Sequence, residues 1–303
     1  MQYFPLFVDT NKLSVLIVGA GDVATRKLDL LARTEAQIDV IAPEVAEDIR
    51  AYAARGRVSL IERKIQEQDL QGYELVYLAT ADEQLNSQLA VLAKQRGIWA
   101  NVVDNPAFCQ FITPSIVDRG RLTVAISTSG AAPVFARTIR AKLETMLPQS
   151  LSPLFDFVAQ KRGEVQQRLT NGKDRRLFWE RFFTLNQDKF DEHTTSHYQA
   201  SFEQYAASGE LIILDAATSA DLLPLAAMPI LQRVDNVYCD TELPLALMEL
   251  VRRDAGRHQM LLKSQISQNV EHGERMLLIL PSNAIEEFVA HFPNAKHIRP
   301  GKL

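Results

Sequence analysis

Five short apolar runs alternate with amphipathic stretches between residue 14 and about residue 104. Each run is rich in Val, Ile and Leu, which favour extended strands, and each stretch between them has the apolar spacing of a helix. Strands that alternate with helices form mainly parallel sheets. The runs are SVLIV, QIDVIA, RVSLIE, ELVYLAT and IWANVV. We therefore predict an α/β fold with a mainly parallel sheet in this part of the chain.

Composition limits what the whole chain can be. Because it has 303 residues and 47% of them are hydrophobic, the chain exceeds the usual size of one core, and more than one domain is expected. The net charge of −4 disfavours nucleic acid as a partner. Cys109 and Cys239 fit neither a disulfide framework nor a zinc cluster, which favours a reducing, cytoplasmic location. The longest apolar run, 222–231, contains two prolines and is too short to span a membrane.

A glycine-containing turn lies between the first apolar run and the helix after it. Gly19 allows a tight turn, and Gly21 allows a pyrophosphate to approach the backbone, where amides at the helix start would bind it. The turn indicates dinucleotide binding, and the alternative is a glycine turn without a ligand. The acid expected at the end of the second strand is ambiguous, because Asp39 lies early and Glu44 follows a proline. No Arg follows that strand, which favours NAD over NADP.

The chain beyond residue 104 contains a strand, a hydroxyl-rich turn and a helix in RLTVAISTSGAAPVFARTIRAKLETMLP. Pro133 suits the first turn of that helix and Pro148 suits its end. Residues 151–183 are predicted to be helical, and the polar stretch 184–208 is interpreted as a linker. GELIIL and RMLLIL predict strands of a last α/β segment. In the helix that begins near Pro133, four apolar residues share one face: Phe135, Ile139, Leu143 and Met146.

Several ordered motifs in the first 183 residues belong together: FPLFVD before VLIVGAGDVATRK, then LATADEQLN, NVVDNP, FITPSIVDRG and LTVAISTSGAAPVFARTIRAKLETMLP. They resemble the precorrin-2 dehydrogenase and sirohydrochlorin ferrochelatase module of the sirohaem synthase family. The resemblance implies a homodimer that oxidises precorrin-2 with NAD and then inserts ferrous iron, a substrate, to give sirohaem. It implies a Rossmann-like NAD-binding domain at 1–113, a dimerisation segment at 114–150, a helical domain at 151–200 and a small α/β remnant domain at 201–303.

The resemblance also assigns site residues. Asp104 falls on the family's catalytic carboxylate, at the end of IWANVV, where ligands of doubly wound folds bind. A carboxylate there can accept protons during oxidation and chelation, and it could pass iron on without forming a stable metal site. The alternative is that DNP is a turn in which the Asp caps its own backbone. The cofactor-binding positions fall on Gly19, Gly21, Asp22, Val23, Pro43, Glu44 and Thr80.

The turn ISTSGAAP is a second candidate site. The hydroxyls of Ser127, Thr128 and Ser129, together with the Gly130 amide and the helix start, could hold a substrate carboxylate. The same hydroxyls could instead only cap the helix. Family members commonly have serine and then glycine where this chain has Thr128 and Ser129. The segment 161–181, with seven basic and three acidic residues, could attract a tetrapyrrole, although such a face is usually only solvated.

The last hundred residues carry a second resemblance. GELIIL, LQRVDNVYCDTELPLALMELVRRDAGR and SQISQNVEHGERMLLIL resemble, in order and spacing, the start of a uroporphyrinogen-III methyltransferase domain. The glycine-rich turns of that family are replaced by DAATSADLL and PSNAIEEF, and without glycine the backbone cannot readily approach S-adenosylmethionine. We therefore predict a degenerate remnant without methyltransferase activity, and a separate methyltransferase as a candidate partner. His193 and His197 lack a third ligand and are interpreted as incidental.

Three functions remain open at this point. The first is the bifunctional enzyme, and the second is a precorrin-2 dehydrogenase without chelatase activity. The third is an NAD-sensing or scaffold module without catalysis. A dispensable Asp104 would favour the third.

Overall fold

A computed structural model describes residues 2–203, 209–240 and 245–301. The chain divides into two units, residues 1–195 and residues 196–303. The division lies a few residues before the predicted start of the remnant domain at 201.

The first unit contains the predicted α/β domain. Its sheet has five parallel strands in the order β3-β2-β1-β4-β5, which confirms all five strands predicted from the apolar runs. The chain order reverses between β1 and β4, and in sheets of this kind the reversal opens a crevice at the carboxyl ends of the strands. The strands are β1 (Ser14–Val18), β2 (Gln37–Ile41), β3 (Ser59–Ile61), β4 (Leu75–Leu78) and β5 (Trp99–Val102), and the helices are α1 (Asp22–Leu31), α2 (Glu47–Ala54) and α3 (Glu83–Gln95).

The two faces of this sheet are both buried. Along β1, Val15 and Ile17 pack with residues of α1 and α2, whereas Leu16 and Val18 pack with residues of α3. Alternating side chains thus enter opposite cores, and neither face meets water. This explains why the strands appear in the sequence as continuous apolar runs.

Arg57 fixes the carboxyl end of α1. Its guanidinium donates hydrogen bonds to the carbonyl oxygens of Leu31, Ala32, Thr34 and Ala36 at distances between 2.7 and 3.1 Å. Carbonyls at a helix end lack partners within the helix, and a cation there is also favoured by the helix dipole. One side chain therefore holds both the end of α1 and the turn that leads into β2.

A hairpin and helices follow the sheet in the first unit. α4 begins at Pro133 and ends before Pro148, as predicted. The predicted linker at 184–208 is wrong in part, because α6 continues to Asn186 and α7 covers 194–200, while residues 204–208 lie outside the described residues. The elements of the first unit are β6 (Ser115–Arg119), β7 (Leu122–Ile126), α4 (Pro133–Met146), α5 (Leu151–Arg168) and α6 (Gly172–Asn186), and α7 (Thr194–Ala200) begins at the end of this unit and continues into the second.

Helix α4 packs on the hairpin through only part of its surface. Arg119 of β6 is 4% exposed and donates to the Leu147 carbonyl at 2.8 Å and to Glu144 Oε2 at 2.6 Å. On the predicted apolar face, however, Phe135 is 60% and Met146 is 70% exposed. The helix is therefore anchored at its carboxyl end and leaves apolar side chains uncovered within this chain.

The second unit is also an α/β fold, which confirms the predicted class of this segment. Its five parallel strands have the order β10-β9-β11-β8-β12, and GELIIL and RMLLIL form β8 and β11. No helix within the described ranges is long and apolar enough to cross a membrane. The elements are β8 (Glu210–Asp215), α8 (Ala227–Leu231), β9 (Asn236–Tyr238), α9 (Leu245–Met248), β10 (Gly256–His258), α10 (Lys263–Glu271), β11 (Arg275–Leu280), α11 (Ile285–His291) and β12 (Lys296–Ile298).

Candidate functional site

Gly19 forms the tight turn after β1. Its φ is +101°, and a Cβ at this position would lie 2.4 Å from the Ala79 carbonyl oxygen. Its amide donates to the Ile41 carbonyl at 2.9 Å. The turn is therefore pressed against the ends of β2 and β4, and only glycine fits there.

Gly21 is the residue before the first turn of α1, and its surroundings are open. A Cβ at Gly21 would meet no atom within 4 Å, and no side chain caps the helix. Amides of the first turn, which begins with Asp22 and Val23, have no partners inside a helix. This uncapped, exposed helix start fits a phosphate group.

The ends of β2 and β4 carry the other candidate cofactor residues. Pro43 and Glu44 follow β2 and are exposed. Asp39, the alternative acid, is engaged inside the sheet, because the Tyr73 hydroxyl donates to its Oδ2 at 2.5 Å. Burial raises the pKa of Tyr73, and the hydrogen bond to Asp39 acts in the same direction. Of the two acids, Glu44 is therefore the one at the open end of the strand.

Thr80 is held in place just after β4. Its hydroxyl donates to Asn86 Oδ1 at 2.7 Å, and Asn86 Nδ2 donates back to the Thr80 carbonyl at 3.0 Å. Asn86 is 3% exposed. The Thr80 amide nitrogen also lies within 3.0 Å of the Cβ position of Gly19, so the ends of β1 and β4 are adjacent.

Asp104 lies in the turn after β5 and is exposed. Its φ is +58°, a conformation that Asp and Asn adopt more readily than other residues with a side chain. Cys109 contacts the residues on either side of this turn. Its Sγ lies 3.2 Å from backbone atoms of Val102 and 3.4 Å from the Asn105 carbonyl oxygen. Among the described residues, no hydrogen bond ends on the Asp104 carboxylate. The side chain therefore faces solvent instead of capping its own turn.

Lys27 is a charged residue near this turn that the sequence interpretation did not single out. Its Nζ lies 3.5 Å from the Thr113 hydroxyl and 5.7 Å from the centre of the Tyr77 ring. Burial lowers the pKa of Lys27, whereas the charges of Cys109 and Asp104 oppose that effect. The only sequence signal is its spacing in α1, three residues after buried Ala24, which puts it at the border of the buried face.

In the hydroxyl-rich turn between β7 and α4, two hydroxyl oxygens accept hydrogen bonds from backbone amides of the same turn. Ser127 Oγ accepts from the Ser129 amide at 3.0 Å, and Thr128 Oγ1 accepts from the Ala132 amide at 3.2 Å. Ser129 has φ of +54° and Gly130 has φ of +82°. Ser129 therefore adopts a conformation that favours glycine, at the position where the sequence resemblance leads one to expect glycine.

Most of the candidate residues share one place in the fold. Gly19, Glu44, Thr80 and Asp104 each follow the carboxyl end of a strand in the same parallel sheet. Parallel strands end at the same edge, so the cofactor candidates and the carboxylate lie at one edge of the sheet, where ligands of such folds bind. The turn at 127–130 lies outside the sheet, after the hairpin.

The basic segment 161–181 is partly neutralised by its own acids. Lys161 and Arg168 lie 3.0 and 3.3 Å from Glu164, and Arg176 lies 3.4 Å from Glu180. Pairs of this kind are typical of a solvated helix face. In the parts of the chain that the structure describes, no three His, Cys, Asp or Glu side chains form a group that could hold a metal ion.

The edge of the second sheet differs from that of the first. Asp215, at the end of β8, accepts hydrogen bonds at its Oδ1 from the Ala217 amide at 2.8 Å and from the Ser282 hydroxyl at 3.0 Å. Ser282 follows β11, the neighbouring strand. The turns after these two strands are therefore joined by the chain's own side chains.

Three family models match consecutive parts of the first unit. Residues 6–115 match a family described as putative NAD(P)-binding, residues 119–146 match the central region of sirohaem biosynthesis proteins, and residues 150–191 match the sirohaem synthase dimerisation region. Residues 6–191 belong to the sirohaem synthase family. The dimerisation region of the module thus begins where the predicted dimerisation segment, 114–150, ends.

Relatives and a solved structure agree with this assignment. The chain is 40% identical over 265 residues to the sirohaem synthase of Pseudoalteromonas atlantica and 36% identical over 267 residues to that of Nitrosococcus oceani, covering 84% and 85% of this chain. It spans 57% of the length of each of these relatives. A solved structure of SirC, a precorrin-2 dehydrogenase, matches with a TM-score of 0.52 and 26% identity, covering 66% of this chain and 98% of SirC. The fold predicted for the sirohaem synthase module is confirmed.

Proposed function

We propose that this chain oxidises precorrin-2 to sirohydrochlorin with NAD and then inserts ferrous iron to give sirohaem. The observation that carries the proposal is the single sheet edge on which the glycine turn, Thr80 and Asp104 meet. It lies in a segment related to a solved precorrin-2 dehydrogenase over 98% of that protein's chain. A dinucleotide site and an exposed carboxylate at one edge are what an oxidation with proton removal requires.

The residues at the edge fit a dinucleotide. The open surroundings of Gly21 and the uncapped start of α1 suit the pyrophosphate, with Asp22 and Val23 supplying first-turn amides. Pro43 and Glu44, exposed after β2, suit the adenosine ribose. Thr80, locked by Asn86, would border the nicotinamide. Bound NAD supplies a hydride acceptor.

Asp104 is the proposed base of the oxidation. The Asp104 carboxylate would accept the proton of precorrin-2 and bound NAD would accept the hydride, which together account for the two hydrogens removed. Because Asp104 is exposed, the proton can leave to water after each turnover. The carboxylate is thereby ready for another cycle.

Iron insertion is proposed as a second step at the same edge. Ferrous iron would replace two pyrrole protons of sirohydrochlorin. The exposed Asp104 carboxylate would accept these protons one after the other, release each to water, and pass the metal to the ring without retaining it. The Gly130 amide and the start of α4, near Ser127, Thr128 and Ser129, would hold a substrate carboxylate. Residues 119–146 and 150–191 match sirohaem biosynthesis families, which supports a role in sirohaem synthesis in addition to nucleotide binding.

A homodimer is proposed as the working form. Residues 150–191 match a dimerisation region, and Phe135 and Met146 of α4 are exposed in the single chain. Both residues belong to the apolar face predicted for this helix, and a helix face left apolar and exposed supports an interaction surface there. Light scattering at several concentrations should give twice the chain mass, and a monomer at all concentrations would contradict the proposal.

One anaerobic assay tests both steps. Purified protein is given precorrin-2 and NAD, with or without ferrous iron, and NADH and the tetrapyrrole spectrum are followed together. We expect NADH in both samples and sirohaem only with iron. NADH without iron insertion would identify a dehydrogenase alone, whereas NAD binding without any NADH would identify a nucleotide-sensing or scaffold module.

A further inference from the structure

Lys27 is a half-buried cation without a carboxylate partner among the described residues. Its one hydrogen-bond neighbour there is the Thr113 hydroxyl, at 3.5 Å, and the Tyr77 ring lies beneath it. An ammonium group has three donors, so most of its hydrogen-bonding capacity is unused by the protein. Tyr77 itself is 5% exposed, which places the cation against a dry surface.

Keeping such a cation has a free-energy cost for the folded chain. Burial lowers the pKa of Lys27, and the neighbouring Arg26 acts in the same direction. A partly desolvated charge is stabilised when an opposite charge binds beside it. Positions that combine desolvation with an unfilled partner are candidates for ligand binding.

The surroundings place the ammonium near the segment that contacts the Asp104 turn. Lys27 Nζ lies 3.5 Å from the hydroxyl of Thr113, four residues after Cys109. The Cys109 sulfur in turn contacts Val102 and Asn105, the residues that flank the Asp104 turn. The cation and the proposed base therefore both lie near the carboxyl end of β5.

We propose that Lys27 binds a carboxylate of the tetrapyrrole and so orients the ring against Asp104. This inference rests on the proposed function and names a residue of that site which the sequence resemblance does not assign. The acetate and propionate groups of the tetrapyrrole supply the anion. An ammonium–carboxylate contact in a partly dry position is strong enough to fix an orientation.

The pyrophosphate of the cofactor is the other anion at this edge. Lys27 lies five residues after Asp22, which corresponds to about 7.5 Å along the axis of α1 from the first-turn amides. Those amides already suit the pyrophosphate. The position of Lys27 beside the Asp104 turn therefore favours the substrate carboxylate.

Direct binding measurements test the inference without turnover. Sirohydrochlorin is titrated, in the absence of NAD, into the full-length protein and into Lys27→Met, Lys27→Gln and Lys27→Arg, and the change in its fluorescence is followed. NAD is titrated separately by calorimetry. We expect Lys27→Met and Lys27→Gln to bind sirohydrochlorin about tenfold more weakly, Lys27→Arg to recover most of the loss, and NAD affinity to stay unchanged.

Control variants distinguish a contact made by Lys27 from a general loss of positive charge or of folding. Arg33→Met removes an exposed cation just after the same helix and should bind sirohydrochlorin like the original chain. Lys27→Gln keeps a hydrogen-bonding side chain at this position, so a folding defect confined to the methionine variant does not end the test. Because a desolvated charge is removed, the melting temperature of Lys27→Met should not fall.

Three results would overturn the inference, and they differ from one another. Equal sirohydrochlorin affinity for all variants would make Lys27 a structural residue. A loss of NAD affinity alone would assign Lys27 to the pyrophosphate. Absence of sirohydrochlorin binding by the unchanged chain would contradict the proposed function as well.

Discussion

Gly19 and Gly21 lie two residues apart and serve different physical purposes. Gly19 has a positive φ and no room for a Cβ beside Ala79, whereas Gly21 has ordinary backbone angles and open space around it. The first glycine is therefore needed by the fold, whereas nothing in the described fold requires the second, and we propose that Gly21 leaves room for the pyrophosphate at the start of α1. Substitution at the two positions can separate these roles.

Gly19→Ala should destabilise the protein by about 3 kcal/mol, since it combines backbone strain with a backbone clash. Gly21→Ala should change the free energy of unfolding by less than about 1 kcal/mol, yet its new Cβ should weaken NAD binding at least about tenfold. Denaturant unfolding and calorimetry measure the two effects. Equal stability of Gly19→Ala and the unchanged chain would contradict the geometry of this turn.

Asp104→Asn is expected to preserve the fold and abolish most of the activity. Asn tolerates the φ of +58° at this position as well as Asp does, but it cannot accept the proton. The rate of NADH formation from precorrin-2 should fall by a factor of about 10² to 10⁴. Asp29→Asn, which changes an exposed carboxylate of α1, is the matched control, and retained turnover in Asp104→Asn would make the residue a turn former only.

At the residue scale, part of the candidate site is predictable from sequence and part is not. Gly19 and Asp104 follow apolar runs, so their place at a sheet edge follows from strand order alone. Lys27 has no such signal, because its partner Thr113 lies 86 residues away. The positive φ of Ser129 likewise could not be predicted, because serine gives no signal for this conformation, whereas glycine would.

At the element scale, an ion pair between Arg119 and Glu144 contributes to the attachment of α4 to the hairpin. The hydrogen bond from Arg119 lowers the pKa of Glu144, and Arg140 adds to the effect. Because the folded-state pKa is below the unfolded value, the stabilisation is present above about pH 4.3 and is lost as the pH falls through the lower folded value. The anchor of α4 should therefore weaken in acid.

Glu144→Gln should have a lower melting temperature than the unchanged chain at neutral pH, and the difference should shrink as the pH falls below about 4.3. Thermal unfolding followed by circular dichroism over this range measures it. Glu35→Gln, an exposed carboxylate in the same unit, should show no such convergence. A difference that is constant with pH would mean that packing, not charge, accounts for the role of Glu144.

The elements themselves differ in how well the sequence predicts them. The strands of the first sheet are buried on both faces, so their apolar runs identify them directly. Helix α7 and the end of α6 are polar, and contacts such as the hydrogen bond from Asn186 Nδ2 to the Lys189 carbonyl at 2.6 Å give no periodic pattern. The apolar face of α4 was predictable, but its periodicity cannot say whether Phe135 is covered by this chain or by another.

At the scale of the whole molecule, two parallel sheets of five strands have different edges. The first has a glycine turn and an uncapped helix start, whereas in the second Asp215 and Ser282 bond to each other across the strand ends. We propose that residues 201–303, which make up most of the second unit, are a methyltransferase-like remnant. Its own side chains bond to each other at the sheet edge where a cofactor would bind. The absence of glycine from residues 216–219, after β8, supports this proposal.

S-adenosylmethionine should therefore not bind this protein. Calorimetric titration of the full chain should show no saturable heat up to millimolar concentrations, while NAD titrated into the same sample should bind and so prove that the sample is active. Micromolar binding of S-adenosylmethionine would contradict the proposal. Methyl transfer would then have to be considered as a function of this chain.

Arg57 has a consequence for how the first edge receives its ligand. By holding four carbonyls around the far end of α1, it keeps the helix in one orientation before any nucleotide arrives. A preorganised helix loses little conformational entropy on binding. If the proposed oxidation takes place at this edge, oxidised and reduced cofactor would exchange there without refolding of α1.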